Sequence, residues 1–79
     1  MKLNIISPEK ILFSGNVNSV TLPGVLGSFT ILDNHAPIIS SLQKGTLSYC
    51  CDENKNGVEL SIEGGFVEET ENEVNVCLD

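Results

Sequence analysis

Hydrophobic and polar residues alternate along most of this chain with a period of two. The clearest run sets Val58, Leu60 and Ile62 against Glu59, Ser61 and Glu63. Leu47, Tyr49 and Cys51 alternate with Thr46, Ser48 and Cys50, and Val74, Val76 and Leu78 with Glu73, Asn75 and Cys77. Successive side chains of a strand point to opposite faces, so each run predicts a strand with one face on a core and one toward water. Further strands are predicted over residues 2–6, 11–13, 17–22, 28–32, 37–42 and 65–69. Val17 falls out of phase with Val20 and Leu22, which predicts a bulge or bend, or else a strand covered on both faces.

Glycine and proline leave little room for helices. Only residues 46–56 and 66–79 are free of both and long enough for three helical turns, and both carry the period-two pattern. Turn signals separate the strands: Ser14-Gly15-Asn16, Pro23-Gly24, Asp33-Asn34, Lys44-Gly45, Asn54-Lys55-Asn56-Gly57 and Glu71-Asn72. Asn-Gly supplies the positive φ angles of a tight turn, so residues 46–51 and 58–63 are predicted to form a hairpin. Gly64-Gly65 reads as a bend or bulge inside a strand. Many short, closely spaced strands predict an all-β fold, a sandwich or flattened barrel, with one domain over residues 1–79.

Composition narrows the function. The net charge is −7, and it is uneven: residues 1–51 hold three lysines against two acids, residues 52–79 one lysine against nine acids. No arginine is present, so a phosphate-binding surface for nucleic acid is excluded. The acidic half disfavours an anionic membrane surface. Such a run reads first as solvated surface and second as electrostatic guidance toward a basic partner. Three cysteines are an odd set, and the adjacent Cys50 and Cys51 point to opposite faces of a strand. They fit small packing roles in a reducing compartment better than a disulfide framework. The apolar run after Met1-Lys2 is too short for a signal peptide, and no run has the length of a membrane-spanning helix.

Catalytic chemistry finds no foothold. His35 is the single histidine, and no cysteine or acid lies at zinc-ligand spacing from it. It reads as a hydrogen-bonded loop residue before a ligand or a pH switch. No Ser/His/Asp arrangement and no phosphate-cradling glycine loop is present. Glu68 and Glu69 read as solvated charge rather than an acid–base couple. Neither catalytic residue, metal nor cofactor is expected. Lys55, in the predicted hairpin turn, keeps one alternative open: lipoyl and biotinyl carrier domains display a modified lysine at such a place, though in a different sequence context.

The ordered words of the chain add a resemblance. Ile6-Ser7-Pro8-Glu9-Lys10-Ile11-Leu12-Phe13-Ser14-Gly15, Val20-Thr21-Leu22-Pro23-Gly24, Gly27-Ser28-Phe29-Thr30-Ile31-Leu32 and Asn34-His35-Ala36-Pro37-Ile38-Ile39-Ser40 resemble, in order, the first domain of F-type ATP synthase epsilon subunits. Lys44-Gly45, Glu63-Gly64-Gly65-Phe66-Val67-Glu68 and Val74-Asn75-Val76-Cys77-Leu78-Asp79 extend the likeness to the last residue. The resemblance implies a flattened ten-stranded β-sandwich at the foot of the central stalk. It implies a non-catalytic rotor subunit that grips the gamma subunit, rests on the c-ring and passes rotation between them. It also implies a peripheral place on the cytoplasmic face of a bacterial plasma membrane, without insertion. By the same matching, Ser7, His35 and Ser40 would face gamma, and Gly27 and Ser28 would lie nearest the c-ring. Many relatives continue into two helices that restrain hydrolysis. A chain ending at Asp79 would couple without that brake and bind no nucleotide. An unrelated β-sandwich adaptor remains a further alternative.

The alternation carries a direct test: the far-ultraviolet circular dichroism of the chain is expected to be that of strands and turns. A spectrum dominated by helix would contradict it.

Overall fold

Every strand read from the alternation forms in the computed structural model, which describes residues 1–53 and 55–79. The order is β1 (Lys2–Ile6), β2 (Ile11–Asn16), β3 (Ser19–Gly24), β4 (Gly27–Leu32), β5 (Ile38–Leu42), β6 (Gly45–Cys50), β7 (Val58–Ile62), β8 (Gly65–Thr70) and β9 (Glu73–Leu78). The described residues hold no helix. These are nine strands, where the resemblance implied ten. The long connections explain the difference. Over residues 33–37 the chain passes Asn34 at φ 62° and Pro37, which has no N–H for a ladder. Beyond β6, Cys51 turns into the core, and Gly57 has φ 90°.

Hydrogen bonds link the strands in the order β2-β1-β9-β8-β5-β3-β6-β7, with β4 on the flank of β3. The sheet folds over between β5 and β3, where Gly24 opposite Leu42 is the one paired position. This leaves two layers, β2-β1-β9-β8-β5 and β4-β3-β6-β7, with a single core between them. Leu3, Ile5, Val67, Val74 and Val76 fill it from one layer, Val20, Leu22, Ile31, Leu47 and Ile62 from the other. The period-two pattern sets the register: Leu3 lies opposite Val74 and Ile5 opposite Val76, so that apolar side chains align on the inner face.

Two local readings change. The phase break at Val17 is a strand boundary rather than a bulge: Val17 lies between β2 and β3, buried, its N–H donating to Met1 O at 2.9 Å. The register irregularity falls instead in the β1–β2 pair, where the consecutive Ile5 and Ile6 face Phe13 and Ile11 and Leu12 is the extra residue on β2. The β6–β7 hairpin forms, but its last paired residues are Tyr49 and Val58, so the connection is longer than a two-residue turn. Buried Cys51 draws the chain inward before it can reverse. The first residue of the expected turn, Asn54, lies outside the described residues. Pro37 stands just before β5, as a residue without an N–H should.

Gly64 and Gly65 make the bend between β7 and β8 with φ 148° and 146°. A Cβ on Gly65 would lie 2.2 Å from Cys77 O and 3.0 Å from Leu78 Cα, both backbone atoms of β9. Gly65→Ala is therefore expected to cost about 3 kcal/mol or more, from backbone strain plus loss of the β8–β9 register. Urea unfolding of the variant beside the native chain measures it.

Candidate docking sites at the two ends of the sandwich

Three segments converge at one end of the molecule. The β8–β9 turn has Glu71 at φ 51° and Asn72 at φ 62°, the pair of positive angles of a type I′ hairpin. Asn72 ties its neighbours together. Its carbonyl accepts the N–H of Lys2 at 3.1 Å, and its Oδ1 accepts the N–H of Asn34 at 2.9 Å. Asp33 Oδ1 accepts from the Met1 ammonium at 2.5 Å, and His35 N–H donates to Leu32 O at 3.2 Å. The loop that presents His35 is thereby fixed to β1 and to the β8–β9 turn.

Glu69 lies under this loop. It was read from sequence as solvated charge, and Glu68 is indeed exposed, but Glu69 is 2% exposed. The reason is strand parity. Val67 and Glu69 point inward, and Phe66, Glu68 and Thr70 point outward. Glu69 occupies a core position opposite Val74 on β9 and Ile38 on β5. Neither carboxylate oxygen has a hydrogen-bond partner among the described residues. The nearest cation-forming group is His35, with Nδ1 4.0 Å from Oε1. That nitrogen lies 2.6 Å from the Ala36 carbonyl. A carbonyl only accepts, so Nδ1 carries the proton and donates it there, not to Glu69. An open pocket of about 480 Å³ lies here, lined by Pro37, Ile38, Ile39, Glu68, Glu69 and Thr70.

The opposite end is apolar. Gly24 pairs with Gly27, and Val25 and Leu26 form the tip of the β3–β4 hairpin. Leu26 is fully exposed, Val25 half exposed. Gly27, at φ 130°, has open space beside it, and Ser28 is exposed. Ser7 belongs to this end, in the β1–β2 turn. Its Oγ donates to Lys10 O at 3.1 Å and accepts the Lys10 N–H at 3.2 Å, so the hydroxyl shapes the turn. The molecule measures 27 × 24 × 21 Å, which makes the two ends separate surfaces.

The sequence-predicted residues are thus spread out. His35 lies at one end and Ser7 at the other. Ser40 is midway along β5, half-buried, its hydroxyl donating to Ser41 O at 3.2 Å. Gly27 and Ser28 share the end of Ser7. Ser40, opposite the inward-pointing Val67, is on the inner side of β5, and what links His35 and Ser7 is the outer face of β2-β1-β9-β8-β5. Register sets Ile11 beside Ile6, Ile6 beside Cys77 and Cys77 beside Phe66 in one row across that face. Ile11, Ile6 and Phe66 are exposed, and so is Ile39 on β5. Leu26 and Ile39 were not singled out from the sequence, and Glu69 was read there as solvated charge. Val25-Leu26 between Gly24 and Gly27 was a signal for an apolar tip, and the parity of Glu69 with Val67 a signal for burial. Among the described residues no group of three or more His, Cys, Asp and Glu is placed to hold a metal ion. Lys55 is exposed.

The family model for the ATP synthase delta/epsilon chain, beta-sandwich domain, matches residues 1–79. The chain belongs to that family. It is 44% identical over 79 residues to the ATP synthase epsilon chain of Leptospira interrogans serogroup Icterohaemorrhagiae serovar copenhageni, covering all of this chain and 61% of that protein. The epsilon chain of Chlorobium limicola is 42% identical over 67 residues, 85% of this chain and 75% of its own. The chain therefore spans about three fifths of the length of its Leptospira relatives. In fold it is similar to a chain in the Euglena gracilis mitochondrial ATP synthase structure, OSCP/F1/c-ring. The TM-score is 0.88 at 19% identity, over 96% of this chain and 48% of that one. A chain of the Tetrahymena thermophila mitochondrial ATP synthase central stalk/c-ring gives 0.82 at 18%, over 98% and 61%.

Within this beta-sandwich family, the inward Glu69 of the present chain departs from the apolar pattern of its own inner face, where Val67, Val74 and Val76 are its neighbours. A buried carboxyl group without hydrogen bonds costs about 1–3 kcal/mol, and more when ionised. Glu69→Val, of similar volume and with the strand preference of its neighbours, is expected to raise the stability of the isolated chain by about that amount. Urea unfolding reads the difference, and a loss of stability would show that the carboxylate is satisfied.

Proposed function

We propose that this domain is a non-catalytic joint in the rotor of an F-type ATP synthase. It grips the gamma subunit and rests on the c-ring, so that rotation driven by proton flow passes to the part where ATP is made. The observation that carries this is the family match along all 79 residues. Two features of the structure support it. Rotor coupling requires a stiff part with two separate binding surfaces. A double-layered core with fully buried Leu3, Ile5, Leu22, Ile31 and Leu47 supplies the stiffness. The outer face of β2-β1-β9-β8-β5, with the His35 end, supplies one surface and the β3–β4 tip the other.

On this reading His35 and the exposed Ile39, together with Ser7 and the Ile11–Ile6–Phe66 row, face gamma, while Ser40, expected there from the resemblance, supports that surface from the inner side of β5. Gly27, Ser28 and the tip residues Val25 and Leu26 face the c-ring. Exposed apolar side chains gathered on one face of a small domain are the mark of a covered surface. The site of action is the cytoplasmic face of a bacterial plasma membrane, in keeping with bacterial relatives such as those from Leptospira and Chlorobium.

The test is copurification with gamma, followed by reconstitution into an ATP synthase depleted of its epsilon chain. The native chain is expected to be retained and to restore proton-driven ATP synthesis. Leu26→Ser is expected to keep native stability within about 0.5 kcal/mol, because Leu26 is fully exposed. It is expected to retain gamma yet weaken attachment to the c-ring. His35→Ala is expected to do the reverse. A native chain that neither binds gamma nor restores synthesis removes the proposal.

A further inference from the structure

Glu69 has no evident use in the fold. It sits where an apolar residue would serve the core, it is almost wholly buried, and both of its oxygens lack partners among the described residues. It nevertheless lines an open pocket, together with Pro37, Ile38 and Ile39. We propose that Glu69 is the receptor for an arginine side chain of the protein that docks on the His35 end. This rests on the reading that the His35 end faces the gamma subunit, and it names the chemistry of the contact.

The choice of arginine follows from the geometry. Two unpartnered oxygens on one carboxylate match the two parallel N–H groups of a guanidinium. A lysine ammonium is more strongly hydrated and does not present that planar fork, so it gains less on entering a covered site. Pro37 and Ile38 line the same pocket, and Ile38, paired with Glu69 on the same side of the sheet and half-buried, gives an apolar wall for the aliphatic stem. The surrounding charge has the right sign. Glu68 and Glu71 are exposed nearby, whereas the Met1 ammonium is engaged by Asp33 and Lys2 lies opposite Glu73. His35 stands at the rim with Nδ1–H committed to Ala36 O, so its imidazole covers the carboxylate without donating a hydrogen bond to it. An entering guanidinium displaces the ring and takes both oxygens.

The experiment has two arms on the same chain. In the first, isothermal calorimetry measures affinity for the gamma subunit of the same organism with Glu69, Glu69→Gln and Glu69→Val. Both variants are expected to bind at least tenfold more weakly, while Glu69→Val unfolds no more readily than the native chain. In the second, ethylguanidinium is titrated against the native chain and Glu69→Val, following the methyl resonances of Ile38. Shifts that saturate in the native chain and vanish in Glu69→Val support the site. Gamma binding of undiminished strength in a folded Glu69→Val overturns the proposal and leaves the rotor reading standing. Glu69-dependent guanidinium binding without any gamma binding does the opposite: the arginine site stands and the rotor reading falls. Equal shifts in both chains, or equal shifts with ethylammonium, overturn the assignment to arginine.

Discussion

The parallel pairing of β1 with β9 is the contact on which the rest of the molecule depends. It brings residues 2–6 against residues 73–77, while the other pairings among the described residues are antiparallel. Parallel neighbours cannot be joined by a tight turn, and here nearly the whole chain serves as the crossover. Closing so long a loop has an entropic cost, offset by apolar side chains that the pairing buries completely: Leu3 beside Val74 and Ile5 beside Val76. Without β1, β2 loses its partner and β9 is left as an edge strand. Both docking ends inherit their geometry from this pairing. Lys2 N–H holds the carbonyl of Asn72 at one end, and Ser7 shapes the turn that follows β1 at the other.

Much of this was legible in the sequence because period-two alternation is a local property. Val58, Leu60 and Ile62, or Val74 and Val76, report their face directly, and the nine strands follow. The tenth strand came with the resemblance and is absent from the described residues. Residues 33–37, 51–53 and 55–57, with Pro37 and the left-handed Asn34 and Gly57, have no extended run to spend on it. Pairing order was not legible: nothing local in Lys2–Ile6 says that its parallel neighbour is at the far end of the chain. Nor was the spread of the resemblance-derived residues. His35, Ser40 and Ser7 lie along one layer and not in a cluster, because β1 carries the chain from one end of the sandwich to the other before Ser7.

Glu69 shows where parity and polarity conflict. By parity it belongs with Val67, and by charge it belongs in water, and two adjacent glutamates invite the second reading. Structure follows parity, because a one-residue slip of β8 would expose Val67 and turn Phe66 and Glu68 inward. One buried carboxylate is less costly than inverting a whole strand. A sequence that keeps such a residue in a small core carries a local inconsistency, and sites of function are where such inconsistencies are expected.

Burial also decides what each acid can do for a partner. Glu68 and Glu71 are exposed, and charges in water are screened beyond about 8 Å at physiological ionic strength. They can draw a basic surface toward the end of the sandwich, yet an ion pair formed there is worth little, about 0–1 kcal/mol. Glu69 contributes almost nothing to long-range attraction from beneath the His35 loop. Its desolvation, however, has already been met by folding, so a cation that reaches it recovers interaction the free chain lacks. On the proposed reading the exposed acids guide and the covered one holds. The uneven charge of the chain, nine acids and one lysine in residues 52–79, thus divides into two roles that composition alone does not separate.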